Sequence, residues 1–165
     1  MTRPGITDWA AEYHLIVLEG CDGAGKTTLA AAFASRYGYA IVHATRTPEG
    51  EDLVAKYRVI LARPGRLVLD RSFVSELVYG PLERGHSRLT FDQAARLAAA
   101  AAQRGGILVH LTGQPEQIAS RLLTRDGHAP ALPRIRALTA AYTDVFTRLA
   151  DHAPVITIDT TAGAA

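Results

Sequence analysis

The sequence predicts one α/β domain in which helices cover both faces of a five-stranded parallel sheet. Three observations predict this fold. Strand-like and helix-like segments alternate along the chain, the strand-like segments are apolar along their whole length, and neither a repeat nor a low-complexity linker divides the 165 residues. Apolar strands of this kind are expected where helices cover both faces, and the alternation implies right-handed crossovers. Ligands of such sheets bind at the carboxyl ends of the strands.

Each element is predicted from its hydrophobic pattern and from the residues that end it. The predicted strands are, in chain order, 14–19, 39–43, 66–69, 107–111 and 155–158. The predicted helices are 26–37, 51–62, 72–79, 90–103, 115–125 and 134–149. Gly80-Pro81 is expected to break the helix that begins at Ser72, and Thr90 with Gln93 matches a capping box. We treat 1–165 as a single domain with a flexible N-terminus over 1–12.

The composition is that of a globular protein and argues against several functional classes. Hydrophobic residues make up 48% of the chain, charged residues 21%, and the formal net charge is only +2, so nothing favours a dedicated nucleic-acid binder. Cys21 is the only cysteine, which excludes an intramolecular disulfide and a cysteine-based metal cluster. No signal peptide and no apolar run of roughly 20 residues is present. We therefore expect a cytoplasmic protein without membrane or stable nucleic-acid partners; the sequence leaves a homodimer open.

One motif follows the first predicted strand. Residues 20–27, G-C-D-G-A-G-K-T, match the pattern G-x-x-x-x-G-K-[ST] at every fixed position, between an apolar strand and a helix. Such a P-loop wraps a phosphate with backbone N–H groups at the positive end of the helix. We expect Lys26 to reach the β- and γ-phosphates of ATP and Thr27 to bind Mg²⁺. The ATP-binding residues predicted here are Gly20, Cys21, Asp22, Gly23, Ala24, Gly25, Lys26, Thr27 and Thr28.

The longer string L-E-G-C-D-G-A-G-K-T-T at 18–28 resembles the P-loop of the thymidylate kinases, E-G-x-D-G-A-G-K-T-T. T-R-T-P at 45–48 is similar to their T-R-E-P, and L-V-L-D-R at 67–71 to their third strand with its D-R pair. Residues 79–88 resemble a segment of compact phage-type deoxynucleoside monophosphate kinases. The resemblance covers most of 13–160. It implies a P-loop kinase that uses ATP and Mg²⁺ to phosphorylate a small nucleotide, a (deoxy)nucleoside monophosphate, giving the diphosphate.

The resemblance also implies roles for single residues. Asp22 stands where the family binds the sugar 3′-hydroxyl of the acceptor, Asp70 near the magnesium shell, and Arg71 between the donor and acceptor phosphates. Glu76 and Tyr79 fall in the register of residues around the acceptor base. The implied catalytic residues are Lys26, Asp70 and Arg71, and the implied metal ligands are Thr27 and Asp70.

Further arginines are candidates for phosphate binding. Arg121 and Arg125 lie one helical turn apart where this class carries its lid, so they are candidates for ATP binding; a solvated basic face is an equal alternative. Arg46, Arg84 and Arg88 are candidates for the acceptor phosphate. Arg46 is the best of these because it follows a strand at the carboxyl edge of the sheet.

Departures from the family bear on the acceptor. The chain is short, which leaves little room for a full lid, Thr47 stands where a glutamate is expected, and Glu76 replaces an amide or neutral residue. An ionised Glu76 presents only hydrogen-bond acceptors, which favours an amino-bearing or modified pyrimidine over dTMP; pairing with Arg71 or Arg88 is the alternative. Nucleoside kinases usually place a carboxylate base at the position of Thr47, whereas a phosphorylated acceptor needs none. This favours a nucleotide acceptor, and the nearby Glu49, Glu51 and Asp52 leave a nucleoside open as the alternative.

Proteins with other functions also contain a P-loop. A kinase for a nucleoside, a small metabolite or a polynucleotide 5′-end is the first alternative. A nucleotide-dependent switch is the second, although the N-K-x-D motif of a GTPase does not occur in the sequence. A degenerate protein with a structural role is disfavoured by the intact set of Lys26, Thr27, Asp70 and Arg71.

Overall fold

Five short strands form a single parallel sheet in the computed structural model, which describes residues 5–162. The strands are β1 (Leu15–Glu19), β2 (Ala40–His43), β3 (Leu67–Asp70), β4 (Gly106–Thr112) and β5 (Val155–Asp159). The described helices are α1 (Ile6–Glu12), α2 (Lys26–Tyr37), α3 (Leu53–Leu61), α4 (Val74–Arg84), α5 (Phe91–Gln103), α6 (Pro115–Asp126) and α7 (Leu132–Leu149). The predicted α/β class with a five-stranded parallel sheet is thus confirmed.

The order of the strands, β2-β3-β1-β4-β5, places β1 in the centre of the sheet. All five residues of β1 are buried, whereas the edge strands β2 and β5 are partly exposed. This is why the central strand reads as one apolar run. Leu18 of β1 pairs in register with Asp70 of β3, so the segments that follow the two strands start side by side.

The N-terminal segment is a correction to the predicted flexible stretch 1–12. Over residues 6–12 the chain forms α1, and the indole of Trp9 is buried against Phe33 with ring centroids 6.5 Å apart. The guanidinium of Arg66 donates to the carbonyl oxygen of Ala10. The helix is only seven residues long and depends on these tertiary contacts, so its own sequence carries no periodic signal. Residues 1–4 lie outside the described residues.

The second correction concerns α4, which continues through Gly80 and Pro81 to Arg84 instead of breaking there. Proline removes one helical hydrogen bond without necessarily ending the helix when the surrounding packing holds it. Glycine suits position 80 because a Cβ there would lie 2.9 Å from the backbone carbonyl oxygen of His86. The helix ends at Gly85, whose φ of 78° is left-handed.

The capping box predicted for α5 is present. Oγ1 of Thr90 accepts from the Gln93 N–H at 3.1 Å, and Oε1 of Gln93 accepts from the Thr90 N–H at 2.9 Å. The remaining predicted elements agree with the structure to within two residues at each end. Within residues 5–162, no helix is long and apolar enough to span a membrane.

Candidate active site

The P-loop connects β1 to α2 and needs its glycines for geometric reasons. Gly20, Gly23 and Gly25 have φ values of 152°, 81° and 100°. A Cβ on Gly20 would lie 2.2 Å from the carbonyl oxygen of Leu111, so no larger residue fits there. The segment wraps around the N-terminus of α2, where backbone N–H groups suit an anion.

Lys26 lies inside this loop. Its Nζ donates to the carbonyl oxygens of Gly20 at 2.7 Å and of Cys21 at 2.9 Å, and only 6% of the residue is exposed. Burial, and then the neighbouring charge of Arg71, lower the pKa of its ammonium group. The ammonium group is therefore held inside the loop by the backbone of the loop itself.

Thr27 and Asp70 form an oxygen-rich pair beside the loop. The Thr27 hydroxyl donates to Oδ2 of Asp70 at 3.1 Å, and Nδ1 of His43 lies 3.3 Å from the same oxygen. Hydroxyl and carboxylate oxygens are the ligands that Mg²⁺ prefers in proteins, so the two residues fit this ion. His43 was not among the predicted site residues, and its position at the end of β2 was the only signal in the sequence that pointed to it.

A cavity of about 1060 Å³ opens over the P-loop and the carboxyl ends of β2 and β3. The predicted site residues that line it are Asp22, Gly23, Gly25, Lys26, Thr27, Thr28, Asp70, Arg71, Arg121 and Arg125. The other residues of the loop, Gly20, Cys21 and Ala24, are buried and do not line the cavity. The volume is in the range of small-molecule and cofactor sites. The structure therefore brings the predicted donor residues together around one space.

Arg71 reaches this cavity from an unusual backbone conformation. With φ at 70°, it is the one non-glycine residue among those described that has a positive φ. Its guanidinium donates to Oδ1 of Asp22, and its Cζ lies 5.2 Å from the centroid of the Tyr79 ring. A left-handed conformation is costly for a side chain of this size, and such residues cluster at functional sites.

A buried carboxylate lies next to this arginine, and the sequence analysis assigned it no role. Glu19 ends β1, is 0% exposed, and accepts hydrogen bonds from Ser72, Ser75 and Tyr142. Burial raises the pKa of Glu19, although the serine donors and the charges of Arg71 and Lys26 oppose this effect. Its place in the predicted P-loop string was the signal that could have drawn attention to it.

Glu76 is bound to two arginines. Its Oε1 accepts from Arg84 and from the Arg88 N–H at 2.8 Å, and its Oε2 lies 3.5 Å from the Arg88 guanidinium. Arg88 also donates to the carbonyl oxygen of Thr47 at 3.0 Å. The alternative of an arginine pair, left open by the sequence, is thus present with Arg88 and Arg84, whereas Arg71 pairs with Asp22.

The remaining candidates for acceptor binding are placed away from the cavity lining. Arg46 is exposed on the segment after β2, and neither it nor Arg84 or Arg88 lines the cavity of the described residues. Tyr79 packs edge-on against Tyr142 with ring centroids 6.2 Å apart. Since its face is covered by Arg71, Tyr79 supports that guanidinium in this structure.

The two candidate lid arginines differ from each other. Arg121 donates to the carbonyl oxygen of Gly23 at 3.3 Å and to Thr160 at 2.9 and 2.7 Å, so it ties the P-loop to the segment after β5. Arg125 is exposed and pairs with the neighbouring Asp126 at 2.7 and 2.6 Å. Both line the cavity, but Arg125 is the more easily released of the two because its partner is a single exposed side chain.

Neither a protein-family model nor a curated protein sequence matches the chain. Solved structures do. YorR protein from Bacillus subtilis, in complex with phosphorylated GDP, has a TM-score of 0.79 at 23% identity over 90% of this chain and 86% of that one. Deoxyadenosine kinase from M. mycoides with bound dCTP has a TM-score of 0.56 at 15% identity, covering 88% and 89%.

Shikimate kinase from Acinetobacter baumannii in complex with shikimate has a TM-score of 0.55 at 20% identity, covering 92% of this chain and 86% of that one. At these identities the likeness concerns the fold. The chain has the α/β fold of P-loop kinases. None of these three structures is described as a thymidylate kinase, so they do not confirm that more specific resemblance.

Proposed function

We propose that the chain transfers the γ-phosphate of ATP, together with Mg²⁺, to a nucleoside monophosphate and releases the diphosphate. The observation that carries this proposal is the single cavity shared by the P-loop, the Thr27–Asp70 pair and Arg71. Phosphoryl transfer depends on holding the two substrates in line and on neutralising charge on the transferred group. These residues supply a loop for the phosphates, a position for the metal and a guanidinium within one space.

On the donor side, the P-loop N–H groups and Lys26 hold the phosphates of ATP. Thr27 and Asp70 are the residues that would hold Mg²⁺, which supplies positive charge to the phosphate oxygens when bound. Lys26 reaches the γ-phosphate by leaving the two carbonyl oxygens that it now contacts. Because Arg121 joins the P-loop to the segment after β5, it keeps the two walls of the cavity together.

On the acceptor side, the pair formed by Asp22 and Arg71 decides the substrate class. A guanidinium recognises a phosphate, and a carboxylate accepts from a hydroxyl. A mononucleotide carries both groups, its 5′-phosphate for Arg71 and its 3′-hydroxyl for Asp22. Both residues line the cavity, and the P-loop string with Asp22 resembles that of the thymidylate kinases. These two points support an acceptor of this class.

Glu76 is left out of base recognition in this proposal. Both of its carboxylate oxygens accept hydrogen bonds from Arg84 or Arg88. The Arg88 guanidinium also donates to the carbonyl oxygens of Thr47 and Pro48. We propose that Glu76 holds the segment after α4 against the segment after β2. It thereby shapes the wall of the acceptor site without reading the base.

A hydroxyl acceptor is the second candidate. It is favoured by His43, which lines the cavity with Nδ1 3.3 Å from Asp70 and could take a proton from a hydroxyl. Two proteins with similar structures are, by description, a deoxyadenosine kinase and a shikimate kinase. In this case the acceptor would be a nucleoside or a small hydroxylated metabolite.

An acceptor panel separates the candidates. ATP consumption is measured with all common ribo- and deoxyribonucleoside monophosphates, with the corresponding nucleosides, and with shikimate and gluconate. The proposal predicts that at least one monophosphate is turned over with a kcat/KM about a hundredfold above every nucleoside and metabolite. Consumption that depends on a nucleoside or a metabolite alone supports the second candidate. Lys26→Ala is the control for contaminating kinases.

A further inference from the structure

Glu19 is held by an unusually complete set of donors. Its Oε1 accepts from the Ser72 N–H at 2.6 Å, the Ser72 hydroxyl at 2.8 Å and the Ser75 N–H at 3.1 Å. Its Oε2 accepts from the Ser75 hydroxyl at 2.7 Å and from the Tyr142 hydroxyl at 3.2 Å. A buried carboxyl group is unfavourable unless donors surround it in this way. Packing alone would favour an apolar side chain at this buried position, so a structural role of the carboxylate is expected.

Part of that role concerns the start of α4. Phe73 stands at the N-cap and its side chain provides no hydrogen bond. Two N–H groups at this end are instead bonded by other side chains. The Val74 N–H donates to the hydroxyl of the nearby Ser72 at 3.3 Å, and the Ser75 N–H donates to the distant Glu19. Glu19, which belongs to β1, thus takes the place of the missing N-cap side chain. A negative charge is favourable at this position because the N-terminus of a helix carries a partial positive charge.

The same contact fixes the backbone around Arg71. The Arg71 N–H donates to the carbonyl oxygen of Leu18 at 3.1 Å, and the next N–H, that of Ser72, donates to Glu19. Both N–H groups that flank the Arg71 side chain are therefore tied to β1. Between these two bonds, Arg71 adopts the left-handed conformation with φ at 70°. The tie to β1 is what opposes its relaxation to a negative φ.

We propose that Glu19 is a positioning residue, which holds Arg71 in its left-handed conformation and thereby directs the guanidinium into the cavity beside Asp22. The inference rests on the proposed role of Arg71 in phosphoryl transfer. Glu19 itself does not line the cavity, so it acts through Arg71 and contacts neither substrate. In this account the residue before the P-loop couples the donor cradle to the acceptor arginine.

A double-mutant cycle tests the coupling. Glu19→Gln keeps the size of the side chain and removes its charge. We expect kcat to fall about tenfold or more while the KM for ATP stays within about twofold, because small misplacements of a catalytic group are costly. In the Arg71→Ala background the same substitution should change kcat less than about twofold, since no guanidinium remains to be positioned. Equal losses in both backgrounds overturn the proposal.

Two further variants separate positioning from general stability. Thr90→Ala removes the cap of α5 and provides a destabilised protein with an intact site, for which we expect an unchanged kcat. Ser75→Ala removes one donor to Glu19 and leaves the carboxylate in place, so it serves if Glu19→Gln does not fold. A loss of kcat of about threefold that vanishes in the Arg71→Ala background supports the proposal, and an unchanged kcat in otherwise wild-type protein contradicts it.

A readout without substrates distinguishes this inference from the proposed function. The Nε–H resonance of Arg71 in a nitrogen-15 NMR spectrum is identified by its absence in Arg71→Lys. It should shift in Glu19→Gln and stay in place in Thr90→Ala. If the wild-type protein phosphorylates no acceptor, the proposed function fails while this resonance still reports on Arg71. A resonance that is unchanged in Glu19→Gln overturns the positioning role.

Discussion

The proposed donor half and the proposed acceptor half of the site differ in how their charged groups are paired. In the donor half, Lys26 and Asp70 line one cavity and are within reach of a ligand. In the acceptor half, Glu76 and its two arginines bind one another and the neighbouring backbone. A charged group that lines a cavity can pair with a charged group of the substrate. A charged group that is already paired with another side chain instead holds two chain segments together. We therefore expect substitutions in the two halves to affect different quantities.

Lys26→Ala should have the largest effect and so tests the donor half most severely. We expect kcat to fall about a thousandfold, because a cation at the γ-phosphate contributes mainly in the transition state. Thermal unfolding should show that the protein remains folded, although two carbonyl oxygens lose their donor. ATP consumption with the best acceptor measures the effect. If the variant keeps most of the wild-type rate, residues 20–27 do not act as a phosphate-binding P-loop.

Arg71→Ala should lower kcat about a hundredfold and change the KM of the acceptor less, if the guanidinium acts on the transferred group. Steady-state kinetics with the acceptor varied measures both quantities. Arg136→Ala is the matched control, since Arg136 is an exposed arginine paired with Glu116 at 2.8 Å on the surface. An effect confined to the acceptor KM would make Arg71 a binding residue only.

Asp22 should give a smaller effect on specificity. The wild-type protein should reject a 3′-deoxy nucleotide about tenfold, a modest factor because the Asp22 side chain is 58% exposed and water can replace the lost hydroxyl. Asp22→Ala should lose most of this discrimination. The ratio of kcat/KM for the two nucleotides is compared in both proteins. Equal ratios would show that Asp22 does not contact the sugar.

Glu76→Gln should have the smallest effect on turnover and its main effect on stability. Removing the charge weakens the contacts with Arg84 and Arg88, so the free energy of unfolding should fall by about 1 kcal/mol. Chemical denaturation measures this change. Competition between dCMP, dTMP, dUMP and hydroxymethylated analogues should give the same order of preference in both proteins. A changed order of preference among the nucleotides would indicate that Glu76 does contact the base, and it would contradict the purely structural role proposed for this residue.

The same contrast describes how far the sequence could predict the molecule. The P-loop and its helix are specified by adjacent residues, and α2 has the predicted bounds Lys26–Tyr37. The capping box of α5 is local in the same way. The hydrogen-bond partners of Glu19 were not predictable because Ser72 and Tyr142 lie 53 and 123 residues away in the chain. Position along the sequence carries no direct signal for such contacts.

The corrections have the same cause. The helix at residues 6–12 forms because Trp9 packs against Phe33, which belongs to another helix. Beyond the predicted break, α4 brings Glu83 within 3.5 Å of Arg134 in α7, and Val78 and Gly80 are buried. This tertiary packing overrides the local tendency of Gly80-Pro81 to end a helix. Sequence patterns therefore predicted the strand and the helix on either side of the P-loop well. They gave the arginine partners of Glu76 only as one of two alternatives.

The most direct test of the proposed function follows the γ-phosphate itself. ATP labelled at the γ-position is incubated with Mg²⁺, the protein and the best monophosphate of the panel, and the products are separated by chromatography. We predict that the label appears in the nucleoside diphosphate formed from the acceptor, and that Lys26→Ala forms none. Label found only in inorganic phosphate would indicate a nucleotide hydrolase or switch, and would contradict the proposed transfer.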